Sequence, residues 1–294
     1  MRSLKTREAA SLLNVSPNTL RTWERKFGYP KPLRSPGRHR AYTYAEIVAL
    51  RDALRRGLSV ASAISVVREG LGADTDALVS ALGSFDLPGA DRAMEASLAL
   101  RSMERSVDEV LLPALDDLRR RDGVASARWA IARRWGVDWL GRAQRFAPPP
   151  DEGEGIVIGD ASGGSLGSSE LSIRALELYC RRGGMGVLLL PVEALGGLDE
   201  AIEPFEPRCV VVAGAQSSDE QVGRWAYAVR KLAGAPPVAL YLRPTSQAAR
   251  QPSAHELPSV PADAHRRLIE LVAAGRRARD AALADEANGF AQSG

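Results

Sequence analysis

The fold of this chain is decided by residues 15–28, VSPNTLRTWERKFG. Ser16 has a hydroxyl that can cap a helix, and Pro17 suits the first helical position because its missing N–H would have no partner there. The pattern predicts a helix from Pro17 to Phe27, with apolar residues on one side of it at Leu20, Trp23 and Phe27. The rest of its surface is polar and basic, as in helices that read base edges in the major groove of DNA.

A shorter helix is predicted just before it, within residues 5–13, KTREAASLL. Thr6 is the predicted N-cap, and Ala9 and Leu12 repeat at the spacing of one helical face. Asn14 begins the turn between the two helices. Two short helices joined by a tight turn predict a helix–turn–helix whose second helix enters the major groove.

A basic loop follows at residues 28–42, where prolines stiffen the chain and Gly37 permits a tight turn. The loop is predicted to be a wing that lies on the DNA backbone or enters a minor groove. Helices and wing together supply the predicted DNA-binding residues, which are Thr6, Ser16, Asn18, Thr19, Arg21, Thr22, Trp23, Arg25, Arg34, Arg38, His39, Arg40 and Tyr42.

Charge is distributed unevenly along the chain. Residues 1–70 contain 14 Lys and Arg against 5 Asp and Glu, a net of +9, whereas the remainder contains 25 against 31, a net of −6. A basic head of this kind displaces counterions from the phosphate backbone, so DNA binding should weaken steeply with salt. The alternative is a merely solvated basic surface, and the agreement of caps, turn and cation placement favours DNA binding.

Length and composition are those of an ordinary globular protein. The chain has 294 residues, 45% of them hydrophobic and 26% charged, which is enough for two or three domains. With no membrane-crossing apolar run and no signal peptide, the sequence predicts a cytoplasmic protein, and its Arg and Ala content is typical of high-GC bacteria. Cys180 lies in a predicted helix and Cys209 opens a predicted strand, which favours buried free thiols over a disulfide or metal site.

Helical periodicity continues after the wing. It predicts two helices that complete the head, at 44–56 and 59–69, and then four more, at 75–84, 88–100, 106–121 and 124–146. Four helices of this length with short connections predict a four-helix bundle. The predicted domains so far are the winged head at 1–72, the bundle at 73–147 and a Pro-rich linker at 148–154.

Strands and helices alternate after the linker. Buried-strand patterns lie at 156–158, 187–190, 210–213 and 238–242, with helical stretches at 166–182, 219–234 and 262–284. This alternation predicts a doubly wound, parallel, Rossmann-like α/β domain over residues 155–284, followed by a disordered tail at 285–294. The fold class of the whole chain is therefore multidomain α+β, and a ligand would bind at the carboxyl ends of the strands.

The head resembles the MerR-type winged helix–turn–helix over residues 4–70. The matching segments are TREAA at 6–10, VSPNTLRTWER at 15–25 and PGRHRAY at 36–42. The order of head, bundle, linker and Rossmann-like domain further resembles the cobalamin-dependent, light-responsive repressors of the CarH and LitR type. The resemblance implies a bacterial transcriptional regulator, not an enzyme, that binds two-fold promoter sites as a dimer.

The cobalamin motifs of that group are not matched. The group has a cobalt-ligating His in an Asp-x-His-x-x-Gly loop after the first strand, but residues 159–167 are GDASGGSLG. A Glu-His pair beside the upper face of the corrin is replaced by Ala127 and Arg128. A Gly-Gly pair that makes room for the nucleotide tail is replaced by YLR at 241–243. These departures predict no cofactor and regulation that is independent of cobalamin and light.

A second hypothesis is a regulator that senses a nucleotide-like or other small molecule in the α/β domain, with a variant cobalamin as the less favoured ligand. The Gly-rich loop supports it, because its backbone N–H groups could hold a phosphate. The candidate ligand residues are Gly159, Asp160, Ser162, Gly163 and Gly164. The structural interpretation, a simple strand-to-helix turn, is favoured over it. No carboxylate pair, metal-ligand spacing or nucleophile–base arrangement supports an enzyme.

Trp135 and Trp139 are one helical turn apart, which favours packing in a core. A sharper hypothesis is that one of the nearby indoles, such as that of Trp129, fills the space a corrin would occupy. His255 and His265 are predicted to be solvated and not to bind metal. The expected partners are double-stranded DNA, a second copy of the chain in a homodimer or higher oligomer, and RNA polymerase or a regulatory protein as a further candidate, with no membrane.

Overall fold

The computed structural model describes residues 3–34, 40–151, 153–162, 169–191, 204–214, 219–231, 236–243 and 254–291. The chain divides into two compact units, Met1–Ala132 and Arg133–Gly294. Within the described ranges, no helix is both long enough and apolar enough to cross a membrane.

The head consists of three helices and a small antiparallel sheet. Its elements are β1 (Ser3–Lys5), α1 (Thr6–Leu12), α2 (Pro17–Phe27), β2 (Leu33–Arg34), β3 (Arg40–Thr43) and α3 (Tyr44–Arg55). The predicted helix–turn–helix is confirmed. The predicted wing contains a pair of strands, β2 and β3, and β1 adds to β3 on the other side to give the order β1-β3-β2.

The N-termini of α1 and α2 are capped in different ways. The Oγ atom of Ser16 accepts a hydrogen bond from the N–H of Thr19 at 3.0 Å, which confirms the predicted cap of α2. The prediction for Thr6 is wrong, because α1 begins at Thr6 and its N-cap residue is Lys5. A carboxylate oxygen of Glu8 accepts a hydrogen bond from the N–H of Lys5 at 2.7 Å and so satisfies a donor at the helix start.

The helices after the head have other boundaries than predicted. They are α4 (Val60–Gly83), α5 (Leu87–Leu100), α6 (Met103–Ser106), a π-helical segment (Val107–Leu111), α7 (Leu112–Asp122) and α8 (Ala127–Gln144). Helix α4 joins two predicted helices because no Pro interrupts it, and its packing on α3 and α5 offsets the low helix propensity of its glycines. The predicted boundary between head and bundle, at residue 72, therefore lies inside a continuous helix.

The π-helical segment interrupts what the sequence predicts as one helix at 106–121. Pro113 has no N–H to donate to the carbonyl of Glu109, four residues earlier. The hydroxyl of Thr75 on α4 donates to that carbonyl instead, at 3.4 Å. The turn before the proline widens to the π form, as occurs where a helical hydrogen-bond ladder is broken locally.

The second unit contains the predicted doubly wound α/β domain. Its elements are β4 (Gly155–Asp160), α9 (Ser169–Arg182), β5 (Gly186–Pro191), β6 (Cys209–Ala213), α10 (Asp219–Lys231), β7 (Val238–Tyr241), β8 (Ala254–Glu256) and α11 (Pro261–Ala291). The strands are parallel in the order β5-β4-β6-β7-β8. The strand order reverses between β4 and β6, the point at which such sheets bind ligands.

Both faces of this sheet are apolar, because alternate residues of a strand point to opposite faces. Ile156 and Ile158 of β4 belong to one buried cluster, and Val157 belongs to another that contains Trp225 of α10. Trp225 is fully buried against Gly159, where an added Cβ would lie 2.4 Å from the indole ring. A side chain at position 159 would therefore displace a core tryptophan.

Several details of the second unit differ from prediction. Strand β8 has only three residues, too few for an apolar pattern to predict it, and it contains the exposed His255. His265 is half-buried and its ring lies 6.4 Å from that of Tyr179, so the prediction that it is solvated is wrong. Helix α11 continues to Ala291, through most of the predicted tail.

The cysteines are buried free thiols, as predicted. Burial raises the pKa of Cys209 to about 12, and it raises the pKa of Cys180 above its ordinary range as well. Both thiols therefore stay protonated at neutral pH, and neither has the depressed pKa that a reactive cysteine needs.

The tryptophans of α8 are all buried, Trp129 fully and Trp135 and Trp139 to 5% and 9% exposure. The predicted core packing of these residues is confirmed. Trp129 belongs to the first unit and the other two to the second. That an indole fills the space of a corrin stays a prediction.

Candidate nucleic-acid interface

Helix α2 is anchored by its apolar side. Leu20 is fully buried and Trp23 is 9% exposed, in a core that also contains Tyr29, Tyr42 and Ile47. The prediction that Trp23 and Tyr42 contact DNA is corrected here, because their side chains lie inside this core. They pack in the core shared by α2 and β3, and so they fix the position of α2 without contacting DNA themselves.

The opposite side of α2 is polar and open. Asn18, Arg21 and Arg25 are exposed, whereas Thr19 and Thr22 are half-buried. The Thr22 hydroxyl donates a hydrogen bond to the carbonyl of Asn18 at 3.0 Å, and the Thr19 hydroxyl lies 2.7 Å from that of Ser16. Arg21 and Arg25 form no ion pair within the described part of the chain, so their guanidinium groups are available to phosphates or bases.

Glu24 connects α2 to the wing. Its Oε2 accepts a hydrogen bond from Nε of Arg40 at 3.1 Å, and Oε1 accepts one from the hydroxyl of Tyr42. Burial and the contact with Glu24 raise the pKa of Tyr42, while a hydrogen bond with Thr6 opposes the rise. The tyrosine hydroxyl therefore remains a donor. Periodicity does not predict this role of Glu24, although a lone acidic residue on a basic helix is a signal of an ion pair.

The wing cations are described only in part. Arg40 is half-buried, and its pairing with Glu24 leaves the rest of its guanidinium for DNA. Arg34 lies on β2 opposite Arg40 in the strand register, and only its backbone is described. Arg38 and His39, which are also predicted DNA-binding residues, lie outside the described residues.

A buried ion cluster joins the head to the helices that follow it. Arg105 on α6 contacts Glu46 on α3, with Nη1 and Oε2 2.6 Å apart, and it donates two hydrogen bonds to Glu109 at 3.0 and 2.9 Å. Glu46 also accepts a hydrogen bond from the N–H of Lys31 at 3.2 Å. Because Lys31 lies just before β2, the base of the wing is tied through Glu46 to Arg105.

Burial raises the pKa of Glu46, and the nearby guanidinium of Arg105 opposes this rise. Burial alone would lower the pKa of Arg105, but the carboxylates of Glu46 and Glu109 outweigh it and raise that pKa above its ordinary value. Arg105 thus stays charged and compensates two carboxylates at once. Such a cluster is costly to break, because loss of one member leaves buried charge without a partner.

The carboxyl edge of the sheet in the second unit is closely packed. The N–H of Ala161 donates to the carbonyl of Ala213 at 2.6 Å, and the N–H of Gly214 donates to that of Tyr241 at 2.9 Å. Gly214 has φ +100°, and an added Cβ would lie 2.7 Å from the backbone nitrogen of Ser162. The loops after β4 and β6 therefore touch through their backbones.

The predicted ligand loop is described as far as Ser162. Gly159 lies under Trp225, and Ser162 is 2% exposed, with its N–H donating to the carboxylate of Asp160 at 2.8 Å. That donor is thus already used within the loop. Gly163 and Gly164 lie outside the described residues.

The first unit begins with a winged helix–turn–helix, in which α2 presents polar side chains and β2 and β3 form the wing. Residues 4–68 match the family described as MerR HTH family regulatory protein, and this segment is therefore a MerR-type helix–turn–helix.

The chain is homologous to bacterial transcriptional repressors. It is 32% identical over 142 residues to the HTH-type transcriptional repressor CarA of Myxococcus xanthus, a match that covers 44% of this chain and 49% of CarA. It is 27% identical over 250 residues to CarH of the same organism, covering 74% of this chain and 82% of CarH. The chain thus spans about half the length of CarA and most of that of CarH.

Two solved structures also align with the chain. One is a cobalamin-binding protein from Desulfitobacterium hafniense, with a TM-score of 0.37 and 12% identity, covering 68% of this chain and 98% of that one. The other is the methanol:cobalamin methyltransferase complex MtaBC from Methanosarcina barkeri, with a TM-score of 0.34 and 12% identity, covering 67% of this chain and 78% of that one.

Proposed function

We propose that this protein is a MerR-type transcriptional regulator that binds promoter DNA through α2 and the wing, and that it works without cobalamin or light. The observation that carries the DNA-binding part is the two-sided character of α2. Its apolar side is locked into the core of the head, while Asn18, Arg21 and Arg25 are exposed on the remainder. A rigid helix with exposed amide and guanidinium groups suits major-groove readout.

The wing is proposed to bind the phosphate backbone. Its attachment to α2 through Glu24 places Arg40 next to the recognition helix, so that both contact the same stretch of duplex. Phosphate contacts position a protein on DNA without reading its sequence, whereas contacts from α2 supply the sequence preference. Arg34, Arg38 and His39 are proposed to add to the backbone contacts.

The described residues do not fit cobalamin in the manner that the CarH resemblance implies. The loop after β4 begins with Asp160-Ala161-Ser162, which has a buried serine two residues after the aspartate, where an Asp-x-His motif has its imidazole. Tyr241, at the position of the missing Gly-Gly, is fully buried and its hydroxyl donates to the carbonyl of Ser259 at 3.1 Å. A nitrogen ligand is therefore absent from the described part of the loop, and a packed tyrosine stands where small residues are needed.

The residues that stand in place of the family's Glu-His pair are also unsuited to a corrin. The side chain of Ala127 has no atom that could ligate a metal. Arg128 is exposed, and its Nη1 lies 3.8 Å from Oδ1 of Asp122. A guanidinium is always protonated and cannot ligate a metal. The nucleotide-sensor alternative gains no support, since the N–H of Ser162 is already bound to Asp160.

We further propose that the protein binds a two-fold DNA site as a homodimer or a higher oligomer. A single α2 covers one half-site, and two-fold operators mirror the symmetry of the protein that reads them. RNA polymerase or a regulatory protein is the proposed further partner.

The test combines DNA binding with an absorption spectrum. The purified protein is incubated with adenosylcobalamin and with hydroxocobalamin and passed through gel filtration, with cobalamin alone as the column control. We expect a colourless protein whose affinity for its own promoter region is equal in darkness and light. A corrin spectrum that coelutes with the protein would refute the cobalamin part, and failure to bind any promoter fragment would refute the DNA-binding part.

A further inference from the structure

The base of the wing is closed by one buried carboxylate, that of Glu46 near the start of α3. Its two oxygens hold two different parts of the first unit. Oε1 accepts a hydrogen bond from the N–H of Lys31 at 3.2 Å, and Oε2 lies 2.6 Å from Nη1 of Arg105. Lys31 lies just before β2, and Glu46 lies just after β3. Both strands of the wing are therefore joined to segments that Glu46 holds together.

Arg105 and Glu109 lie outside the head. Arg105 belongs to α6 and Glu109 to the π-helical segment, so both come after residues 4–68, which match the MerR family. Nε and Nη2 of Arg105 donate to the two carboxylate oxygens of Glu109, at 3.0 and 2.9 Å. Oε1 of Glu109 also lies 3.7 Å from Nζ of Lys31. Lys31 is thus held twice, through its N–H by Glu46 and through its ammonium group by Glu109.

The backbone of Glu109 is fixed as well. Pro113 has no N–H for the carbonyl of Glu109, and the hydroxyl of Thr75 donates to this carbonyl at 3.4 Å. Thr75 belongs to α4, which begins at Val60, within the residues that match the MerR family. Glu109 is therefore held on one side by α4 and on the other by Arg105.

The geometry of the cluster makes it sensitive to position. The guanidinium of Arg105 is planar with fixed donor directions, and each of its three nitrogens lies within 3.0 Å of a carboxylate oxygen. The side chains of Glu46 and Arg105 are only 2% and 9% exposed, so water does not readily replace a lost contact. A shift of the segment Met103–Leu111 therefore moves the guanidinium, and with it the carboxylate that holds the wing base.

Neither residue is suited to contact DNA directly. Arg105 is buried, and Glu109 carries a negative charge that a phosphate repels. We propose that Arg105 and Glu109 are positioning residues for DNA binding, which fix the base of the wing and so set the strength of its phosphate contacts. The functional DNA-binding unit thus extends from the head to Leu111. This proposal rests on the proposed binding of promoter DNA by α2 and the wing.

The test uses two variants of the full-length protein that keep its net charge. Arg105→Lys retains a cation but lacks the three fixed nitrogens that face Glu46 and Glu109. Glu109→Asp shortens the carboxylate by one methylene and leaves Arg105 beside Glu46. Arg92→Lys and Glu95→Asp are the matched controls, at exposed positions of α5. Because no variant changes the net charge, a change in affinity reports the position of groups and not long-range electrostatics.

Binding is measured by fluorescence anisotropy on a promoter fragment and on an unrelated duplex of equal length, at several salt concentrations. The temperature is one at which circular dichroism shows every variant to be folded. We expect Arg105→Lys and Glu109→Asp to weaken binding to both duplexes about fivefold or more, as is usual for coupled sites. The slope of log affinity against log salt should become shallower by about one, because fewer phosphates are contacted. The ratio of the two affinities should stay the same, since α2 supplies the sequence preference.

The possible outcomes separate positioning from a purely structural role. A structural role would lower the unfolding midpoint and leave the affinity and salt dependence of the folded protein unchanged, and this result would overturn the proposal. An equal loss in the α5 controls, or a loss confined to the promoter fragment, would overturn it as well, because the effect would then not lie in the wing.

Glu109→Asp decides the question if Arg105→Lys fails to fold, because it leaves the pair of Arg105 and Glu46 in place. Failure of the wild type to bind the promoter fragment would refute the proposed function and this proposal with it. That failure is recognised before any variant is compared, whereas a wild type that binds beside unaffected variants refutes the positioning role alone.

Discussion

Helix α2 and the carboxyl edge of the sheet, at the ends of β4 and β6, differ in the surface that each offers to a ligand. In α2 the buried residues and the exposed polar ones are both present, so the scaffold still carries a surface suited to DNA. At the sheet edge the scaffold is equally well formed, but Ser162 and Tyr241 are buried within it. Helix α2 thus presents an exposed polar surface, whereas the described part of the sheet edge is closed by packing.

The difference has a physical basis. The α/β domain is stabilised by residues such as Ile156 and Trp225, which lie in the two apolar layers of the sheet. A ligand at the sheet edge would be held by other residues, in the loops beyond the strands. The residues that would form a site and the residues that form the two apolar layers are therefore largely different, and so function and fold can separate.

The largest expected effect concerns the packing of α8. Trp129→Ala removes a fully buried indole and should lower the free energy of unfolding by about 3–5 kcal/mol, measured in denaturant beside Trp139→Ala. Phe146→Ala is the control, since Phe146 is 83% exposed and should cost under about 0.5 kcal/mol. A loss below about 1 kcal/mol for both tryptophans would mean that no indole replaces a corrin here.

A comparable effect is expected from the ion cluster. Arg105→Met leaves Glu46 and Glu109 without their shared cation and should cost about 3–5 kcal/mol at neutral pH. Arg92→Met removes an exposed pair, with 3.5 Å between Arg92 and Asp86, and should cost under about 1 kcal/mol.

The cost of Arg105→Met should also depend on pH. Burial already raises the pKa of Glu46, and removal of Arg105 takes away the group that opposes this rise. A carboxyl group whose pKa is raised in the folded state stabilises the folded protein at low pH. This stabilisation is lost as the pH rises through the folded-state pKa. The loss caused by Arg105→Met should therefore shrink in acid, as unfolding curves at several pH values will show. If the loss of stability grew in acid, Glu46 would not be a buried carboxyl group with a raised pKa.

A smaller effect is expected at the DNA surface. Arg21→Ala should weaken binding to the native promoter by about 1–3 kcal/mol while leaving unfolding almost unchanged. Arg92→Ala is the control, because it removes one positive charge from α5 and none from α2. A weaker effect of Arg92→Ala on DNA affinity would show that Arg21 acts by a specific contact and not through the net charge alone. If Arg21→Ala bound the promoter with wild-type affinity, Arg21 would not belong to the DNA interface.

The smallest effect concerns the helix caps. Ser16→Ala should cost about 1 kcal/mol of stability, because the N–H of Thr19 loses its acceptor. Ser59→Ala removes an equivalent cap from α4, where the Ser59 hydroxyl accepts from the N–H of Ser62 at 3.1 Å, and should cost about as much. Only Ser16→Ala should also weaken DNA binding, and an equal loss of affinity in both variants would show that the effect is not local to α2.

Sequence patterns predicted those features that depend on neighbours along the chain. The helix from Pro17 to Phe27 follows from a cap, a proline at the first position and apolar spacing, all within one short segment. The parallel strands β4 to β7 follow from apolar runs bounded by turn residues, whereas the three-residue strand β8 does not. The MerR-type head could be recognised for the same reason, since its motifs are local.

Contacts between distant segments were decided only by the tertiary structure. Trp23 and Tyr42 have the amphipathic side chains of an interface, and only the packing of α2 on β3 shows that they are buried. Glu24 and Arg40 are sixteen residues apart and meet because the wing folds back on the helix.

The sequence by itself determined the recognition helix, its polar surface and the four longer parallel strands, because capping, helical propensity and apolar periodicity act over a few residues. The tertiary structure alone decided that Arg105 compensates Glu46 and that α4 runs unbroken from the head. The energies of these features come from burial and charge pairing between segments distant in sequence, and burial exists only once the chain has folded.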